Sequence, residues 1–161
     1  SGVALGIVDG GSLTAHVDFG DRVVNVDRTA PASAHATHVA GTMAASGESN
    51  PALRGMAPLA RIYSWAFNGD VARKMLDGVN TYQTVTSQNS WGEGYGDFNG
   101  GCSLYGTYGT RERDLDRLVR EQRLNIFFSA ANERDTFECG IQPRGGTYTI
   151  PRPGTAKNIV T

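Results

Sequence analysis

Short apolar runs alternate with helical patterns along this chain, and that alternation limits the fold more than any other feature. The apolar runs predict buried strands at residues 3–8, 61–66, 84–87, 125–130 and 157–161. The stretches between them predict helices at residues 36–46, 71–79 and 111–122. Strands that alternate with helices form mainly parallel sheets covered by those helices. We therefore predict an α/β fold.

The helix predicted at residues 36–46 has small residues on its inward face. These positions recur with helical spacing and are Ala36, Val39, Ala40, Met43 and Ala44. Because small side chains let a helix approach its neighbour closely, we expect this helix to pack tightly on the sheet.

The helix predicted at residues 111–122 is the most regular in the chain. Thr110 is its predicted N-cap. Its inward positions are predicted to be Leu115, Leu118 and Val119. Its charged residues are predicted to form a solvated face on which Asp116 pairs with Arg120.

Composition excludes several classes of function. The 161 residues suffice for one domain with a single core. With 39% apolar residues and no apolar run near the roughly 18 that a spanning helix needs, neither disorder nor a membrane span is expected. Lys and Arg number 15 against 16 Asp and Glu, so no basic surface for nucleic acid is expected either.

The chain has two cysteines, Cys102 and Cys139. Two cysteines exclude a four-cysteine zinc site within one chain. They permit one disulfide, and a disulfide and two separate thiols are both compatible with the sequence.

Two polar residues lie where ligands of open α/β sheets usually bind, at the carboxyl ends of strands. Asp9 follows the first predicted strand and precedes two glycines, and His35 lies at the entry of the helix predicted at residues 36–46. The positive end of a helix dipole favours the neutral imidazole that a general base needs. Asp9 by itself is also compatible with a turn-forming or capping role, and His35 by itself with a local hydrogen-bonding role.

Together with other segments, these two residues form an ordered series. The series comprises residues 3–11, which end in Asp-Gly-Gly, His35-Ala-Thr-His-Val-Ala-Gly-Thr, Gly55-Met-Ala-Pro, Asn89-Ser-Trp-Gly, Ser129-Ala-Ala-Asn and residues 153–161. It resembles the blocks of the subtilisin-like serine proteases, the subtilases, in the family's order and over nearly the whole chain. The resemblance implies a three-layer subtilisin-like fold with a mainly parallel sheet.

The resemblance also implies catalytic roles for three residues. Asp9 would accept the Nδ1 hydrogen of His35, and His35 would remove the proton of a serine nucleophile. Asn132 would donate to the oxyanion that forms during peptide-bond hydrolysis. The implied activity is that of a serine endopeptidase working through an acyl-enzyme.

Six further residues would bind a peptide or protein substrate. Ser90, Trp91 and Gly92 would pair with an extended peptide as an added strand. The primary specificity pocket would be lined by Ser129, Ala130 and Ala131. Ala36 and Ala131 stand where the family usually has glycine, which we expect to alter substrate preference.

The family's serine block, Gly-Thr-Ser, does not occur in these 161 residues. We therefore expect residues beyond Thr161 to supply the serine, in a remainder of the same protease that is the chain's partner. Since residues 157–161 read as part of a strand, we expect residues 1–161 to be the amino-terminal portion of a catalytic domain, with an incomplete fold. By itself this chain is expected to be inactive.

Other hypotheses about the function remain open. A pseudoprotease would bind peptides without cleaving them. A catalytic metal at His35 and His38 lacks a third ligand, so His38 is predicted to be a buried, hydrogen-bonded helix residue. Nucleotide binding is a further hypothesis, but the first predicted strand is not followed by the G-x-G-x-x-G run of dinucleotide-binding folds.

The family resemblance bears on cofactors and location as well. We expect no required cofactor, although a structural calcium is possible because loop carboxylates occur at Asp18, Asp21 and Asp97. The resemblance implies a secreted or periplasmic protein.

Overall fold

A computed structural model describes residues 2–93, 104–132 and 150–161. The chain divides into two compact units, Ser1–Asn89 and Ser90–Thr161. The glycine-rich segment at residues 92–109 lies partly outside the described residues. Cys102 and Cys139 lie outside them as well, so the disulfide stays a possibility drawn from the sequence.

The first unit is a parallel sheet with helices. Its strands are β1 (Ala4–Asp9), β2 (Val23–Asn25), β3 (Arg61–Ala66) and β4 (Thr86–Asn89). Its helices are α1 (Ala34–Ala44) and α2 (Val71–Tyr82), with a short 3-10 turn at Pro51–Leu53. These four strands lie in the order β2-β3-β1-β4, and their described pairings are all parallel. The predicted α/β class is confirmed.

The core of the first unit forms where α1 packs on the sheet. Ala36, Ala40 and Ala44 are fully buried on α1, and Ile7 and Ile62 are fully buried on β1 and β3. Burying an isoleucine side chain contributes about 1.5–3 kcal/mol. The predicted stripe of small residues is therefore the packed face of this helix, with Val39 and Met43 partly buried beside it.

Local sequence explains where the helices begin and end. Ser33 caps α1 by accepting a hydrogen bond from the Ala36 N–H at 3.1 Å, which starts the helix two residues earlier than predicted. Asp70 caps α2 in the same way through the Arg73 N–H at 3.0 Å. α2 ends at Gln83, which adopts the left-handed conformation. Thr84 then donates its N–H to Gly78 O, so β4 begins at Thr86 instead of the predicted residue 84.

The second unit contains α3 (Thr110–Gln122) and β5 (Asn125–Phe128). The N-cap of α3 is Gly109 and not Thr110 as predicted, because the Glu112 carboxylate accepts the Gly109 N–H at 2.7 Å. β5 ends two residues before its predicted end at residue 130.

The charged face predicted for α3 is partly wrong. Glu112 is fully buried and Asp116 nearly so. Arg152 holds Glu112 with two hydrogen bonds of 2.7 and 2.8 Å. Asp116 accepts the Tyr108 hydroxyl at 2.8 Å and two backbone N–H groups, and these donors occupy it in place of the predicted partner Arg120.

The strand predicted at residues 157–161 is reduced to a single bridge. Val160 pairs with Phe127 of β5 in a parallel bridge. Lys157 and Asn158 instead donate their N–H groups to Asp116 Oδ1, at 2.9 and 2.7 Å. Because these donors are directed at a side chain, they cannot form a strand ladder there.

No helix among the residues described is both long and apolar enough to span a bilayer.

Candidate active site

Asp9 is the last residue of β1, and its side chain is only 2% exposed. Its Oδ1 accepts the Gly10 N–H at 2.7 Å, and its backbone carbonyl accepts the Phe67 N–H at 2.8 Å. The Phe67 contact follows from the parallel register, which places Asp9 opposite Ala66 at the end of β3, whereas the Gly10 contact is local to the turn after β1. The carboxylate is therefore fixed at the rim of the sheet.

His35 lies in the first turn of α1, and its Nδ1 is 2.7 Å from Asp9 Oδ1. A carboxylate accepts this hydrogen bond from the ring, so in the neutral imidazole the hydrogen lies on Nδ1 and the lone pair on Nε2. The His35 side chain is 59% exposed, in contrast to the buried carboxylate. An oriented and accessible imidazole of this kind is suited to general-base chemistry, in which the ring acts in its neutral form.

Ser33, which was not among the predicted site residues, supports this pair. It caps α1, and its own N–H donates to Ser12 O at 2.8 Å in the segment that follows β1. It therefore links the helix that carries His35 to the strand that carries Asp9. Its position three residues before the buried Ala36 is a recognisable N-cap signal.

His38 is exposed, so the prediction that it is buried is wrong. The buried residues of α1 recur every four positions, at Ala36, Ala40 and Ala44. His38 comes two positions after Ala36, about 200° around the helix, and therefore lies on the opposite side. Within the described ranges, no group of three His, Cys, Asp or Glu side chains could hold a metal ion.

Two of the three loop carboxylates considered for calcium, Asp18 and Asp21, lie within the described residues. Asp18 accepts hydrogen bonds from Ser46 Oγ and from both the N–H and the hydroxyl of Ser49. Hydrogen bonds from Ser49 lower the pKa of Asp18 to about 2. Asp21 is 90% exposed and lies 3.7 Å from Arg61, and Asp97 lies outside the described residues. Serine donors therefore occupy Asp18, the buried one of the two carboxylates that the structure describes.

The residues predicted to bind a peptide backbone lie at the start of the second unit. The Trp91 ring packs edge-on against Phe128 of β5, with 5.2 Å between ring centroids. A Cβ added to Gly92 would lie 2.5 Å from Pro151 Cγ, so that position accepts only glycine without movement. Ser90 and Trp91 are partly buried.

The residues predicted to line the specificity pocket directly follow β5. Ser129 and Ala131 are partly buried, whereas Ala130 is exposed. Ala131 has a φ of 61°, in the left-handed region that glycine adopts freely and alanine does not. Asn132 follows it and is exposed. Ala131, which stands where the family usually has glycine, therefore adopts a backbone conformation typical of glycine.

Comparison with known proteins identifies the class of protein. The family model for S8 peptidases, described as the subtilase family, matches residues 1–161, and the chain belongs to this family. The predicted resemblance is thereby confirmed, and the α/β arrangement with its parallel sheet is consistent with a subtilisin-like fold. Membership indicates a hydrolase of the serine-protease kind, from a family whose members are commonly extracellular. No curated protein matches the chain in a sequence search.

Proposed function

We propose that this chain supplies the acid and base of a subtilisin-type catalytic triad. His35 takes the proton of a serine hydroxyl as that oxygen attacks the scissile carbonyl, and later gives it to the leaving amine. Asp9 holds the imidazole in the required tautomer and stabilises the imidazolium that forms between these steps. The observation that carries the proposal is the 2.7 Å contact between a buried carboxylate and an exposed imidazole in a chain of the subtilase family.

Asn132 is proposed as the side-chain donor to the oxyanion. Its exposure and its position directly after the left-handed Ala131 support this role. Loss of one such donor typically costs about 2.7–4 kcal/mol of transition-state stabilisation.

A peptide or protein substrate is proposed to bind along two segments of the second unit. Ser90, Trp91 and Gly92 would present backbone groups to an extended peptide. The packing of Trp91 on Phe128 and of Gly92 against Pro151 supports this, since it makes the segment rigid. Ser129, Ala130 and Ala131 would form the wall of the specificity pocket.

The nucleophile is proposed to come from outside residues 1–161. Every Gly-Thr pair in the chain precedes a residue other than serine, so the family's serine block is absent from this sequence. Residues 1–161 would then be the amino-terminal portion of a catalytic domain, completed by a remainder of the same protease. This chain by itself would be inactive.

No cofactor is proposed for the reaction, because triad chemistry uses only side chains and backbone amides. We propose that the protein works outside the cytoplasm, as a secreted or periplasmic enzyme. The family's common extracellular location supports this.

A fluorophosphonate probe, which labels activated serines, tests the proposal when applied to the native preparation. We expect label on a serine outside residues 1–161 after denaturation and mass analysis. His35→Ala should slow labelling by at least about 10³-fold, since the base no longer activates the serine. His38→Ala is the matched control because His38 is exposed on the same helix, and its labelling should equal that of the wild type.

Three outcomes would contradict the proposal. Label on a residue within 1–161 would contradict the assignment of the nucleophile, and labelling that survives His35→Ala would contradict the assignment of the base. A preparation that binds peptides but is never labelled would be a pseudoprotease.

A further inference from the structure

Lys74 stands at an electrostatically unfavourable place in α2. The helix begins at Val71 and is capped by Asp70, so Lys74 lies in its first turn. The positive end of the helix dipole disfavours a cation there. Its ammonium is nevertheless held by three acceptors: Asp27 Oδ2 at 2.6 Å, Ala66 O at 2.8 Å and Asn68 Oδ1 at 2.9 Å.

These bonds use the full donor capacity of an ammonium group. The Lys74 side chain is 20% exposed and that of Asp27 is 30% exposed, so the pair is partly shielded from water. Asp27 Oδ2 also accepts the Ala66 N–H at 3.0 Å. At Ala66, the last residue of β3, Asp27 therefore binds the N–H and Lys74 binds the carbonyl.

One branch of this network leads to Asp9. Ala66 lies opposite Asp9 in the sheet, and the next residue, Phe67, donates its N–H to Asp9 O. The Phe67 ring also lies close to Gly10, because a Cβ added there would be 3.6 Å from it. The position of the Asp9 backbone thus depends on the segment that Lys74 fixes.

A second branch leads to His35. The carbonyl of Asp27 accepts the Ala30 N–H at 3.0 Å, and Ala30 O accepts the Ser12 hydroxyl at 3.0 Å. Ser12 O in turn accepts the N–H of Ser33, the N-cap of the helix that carries His35. One branch of hydrogen bonds therefore ends at Asp9, and the other ends at the N-cap of the helix that carries His35.

We propose that Lys74, together with Asp27, is a positioning residue that sets the geometry of the Asp9–His35 hydrogen bond. This inference rests on the proposed function, because it assigns the network to the proposed triad. The alternative is a purely structural ion pair that affects only how much of the protein is folded.

Kinetics per active site separate these two roles. The test compares Lys74→Met, Asp27→Asn and Lys74→Arg in the serine-bearing protease, with the concentration of active sites measured by fluorophosphonate titration. Displacing a reacting group by about 1 Å can cost about a hundredfold in rate, and we expect Lys74→Met and Asp27→Asn to lower kcat per active site by about tenfold. KM should change by less than about twofold, and Lys74→Arg should recover most of the loss because it restores the cation.

Arg73→Met is the matched control. It removes one positive charge from the neighbouring position of the same helix, and Arg73 is exposed. Its kcat should equal that of the wild type. If Lys74→Met lowers only the number of active sites and leaves kcat per site unchanged, Lys74 is structural and the inference is wrong. Should Lys74→Met fail to fold, Asp27→Asn and Lys74→Arg provide the same comparison.

A second measurement does not depend on activity. The Nδ1 proton of His35 in the same serine-bearing protease can be observed by NMR after labelling the histidines with ¹⁵N. We expect a strongly downfield resonance in the wild type and in Arg73→Met, and its upfield shift or loss in Lys74→Met. An unchanged resonance would overturn the inference. An inert wild-type protease with the expected NMR change would instead overturn only the proposed function.

Discussion

A single torsion angle distinguishes Ala131 from the other residues proposed to line the substrate pocket. Its φ of 61° lies in a region where the Cβ of an L-residue approaches its own backbone too closely. The same conformation occurs at Gln83 and Arg123, where it ends α2 and α3. Ala131 ends no helix, so its conformation serves the turn between β5 and Asn132.

Ala131→Gly is therefore expected to stabilise the protein. Glycine adopts this conformation without the steric cost, which is about 1 kcal/mol for alanine, although added freedom in the unfolded chain offsets part of the gain. The free energy of unfolding by urea measures the change. Ala130→Gly is the control, since that exposed neighbour is not in the left-handed region and the substitution should not stabilise. Equal effects of the two substitutions would contradict this account.

Two histidines show which residue-level features the sequence can predict. The interaction of His35 with Asp9 was predicted from the family resemblance, and the structure places the two side chains in contact. The burial of His38 was predicted from its helix alone and is wrong. The inward stripe that begins at Ala36 places His38 about 200° around the helix, on the side away from the sheet.

At the scale of elements, α1 contains one glycine and packs on another. Gly41 lies inside α1, and a Cβ added to it would meet nothing within 4 Å. Gly55 lies in the segment between α1 and β3, where an added Cβ would lie 2.6 Å from Gly41 O and 2.7 Å from the N atoms of Ala44 and Ala45. The end of the helix therefore rests directly on the backbone at Gly55.

The two glycines predict opposite effects of the same substitution. Gly41→Ala should stabilise the protein by about 0.5–1 kcal/mol, because alanine is the better helix former and has room there. Gly55→Ala should destabilise it by about 1–3 kcal/mol, because the new methyl group overlaps backbone atoms that cannot rotate away. Thermal unfolding of the two variants provides the comparison, and a destabilising Gly41→Ala would contradict the packing described for α1.

The elements themselves were predictable to different degrees. β3 was predicted with its observed bounds, and α1 and α3 to within two residues at each end, because their apolar spacing is local information. The strand predicted at residues 157–161 is reduced to one bridge, because the Asp116 carboxylate on α3 accepts the N–H groups of Lys157 and Asn158. Glu112 and Asp116 were predicted to be surface residues because three of their partners, Arg152, Lys157 and Asn158, lie at least 40 residues away in the sequence.

At the scale of the whole molecule, acid stability is expected to depend on Asp18. This carboxylate joins the segment after β1 to the loop after α1, through Ser46 and Ser49. Its pKa is about 2 in the folded protein, against an ordinary value of 3.8. A depressed folded pKa means that the ionised group contributes its full stability above about pH 4, and that this contribution is lost as the pH falls towards 2.

Asp18→Asn should therefore lower stability at neutral pH and flatten its decline between about pH 4 and pH 2. The free energy of unfolding, measured by urea titration at a series of pH values, shows both effects. Asp21→Asn removes a carboxylate that is 90% exposed, and its pH profile should follow the wild type. A profile for Asp18→Asn that runs parallel to the wild type over this range would contradict the assignment.

The two tryptophans of the chain lie in different compact units. Trp65 is a buried residue of β3 in the first unit, beside Tyr82, whereas Trp91 lies in the second, against Phe128. A chain in which one is replaced by phenylalanine would emit from a single indole, and its fluorescence would follow one unit alone. This protein thus contains an intrinsic optical reporter for each of its two units.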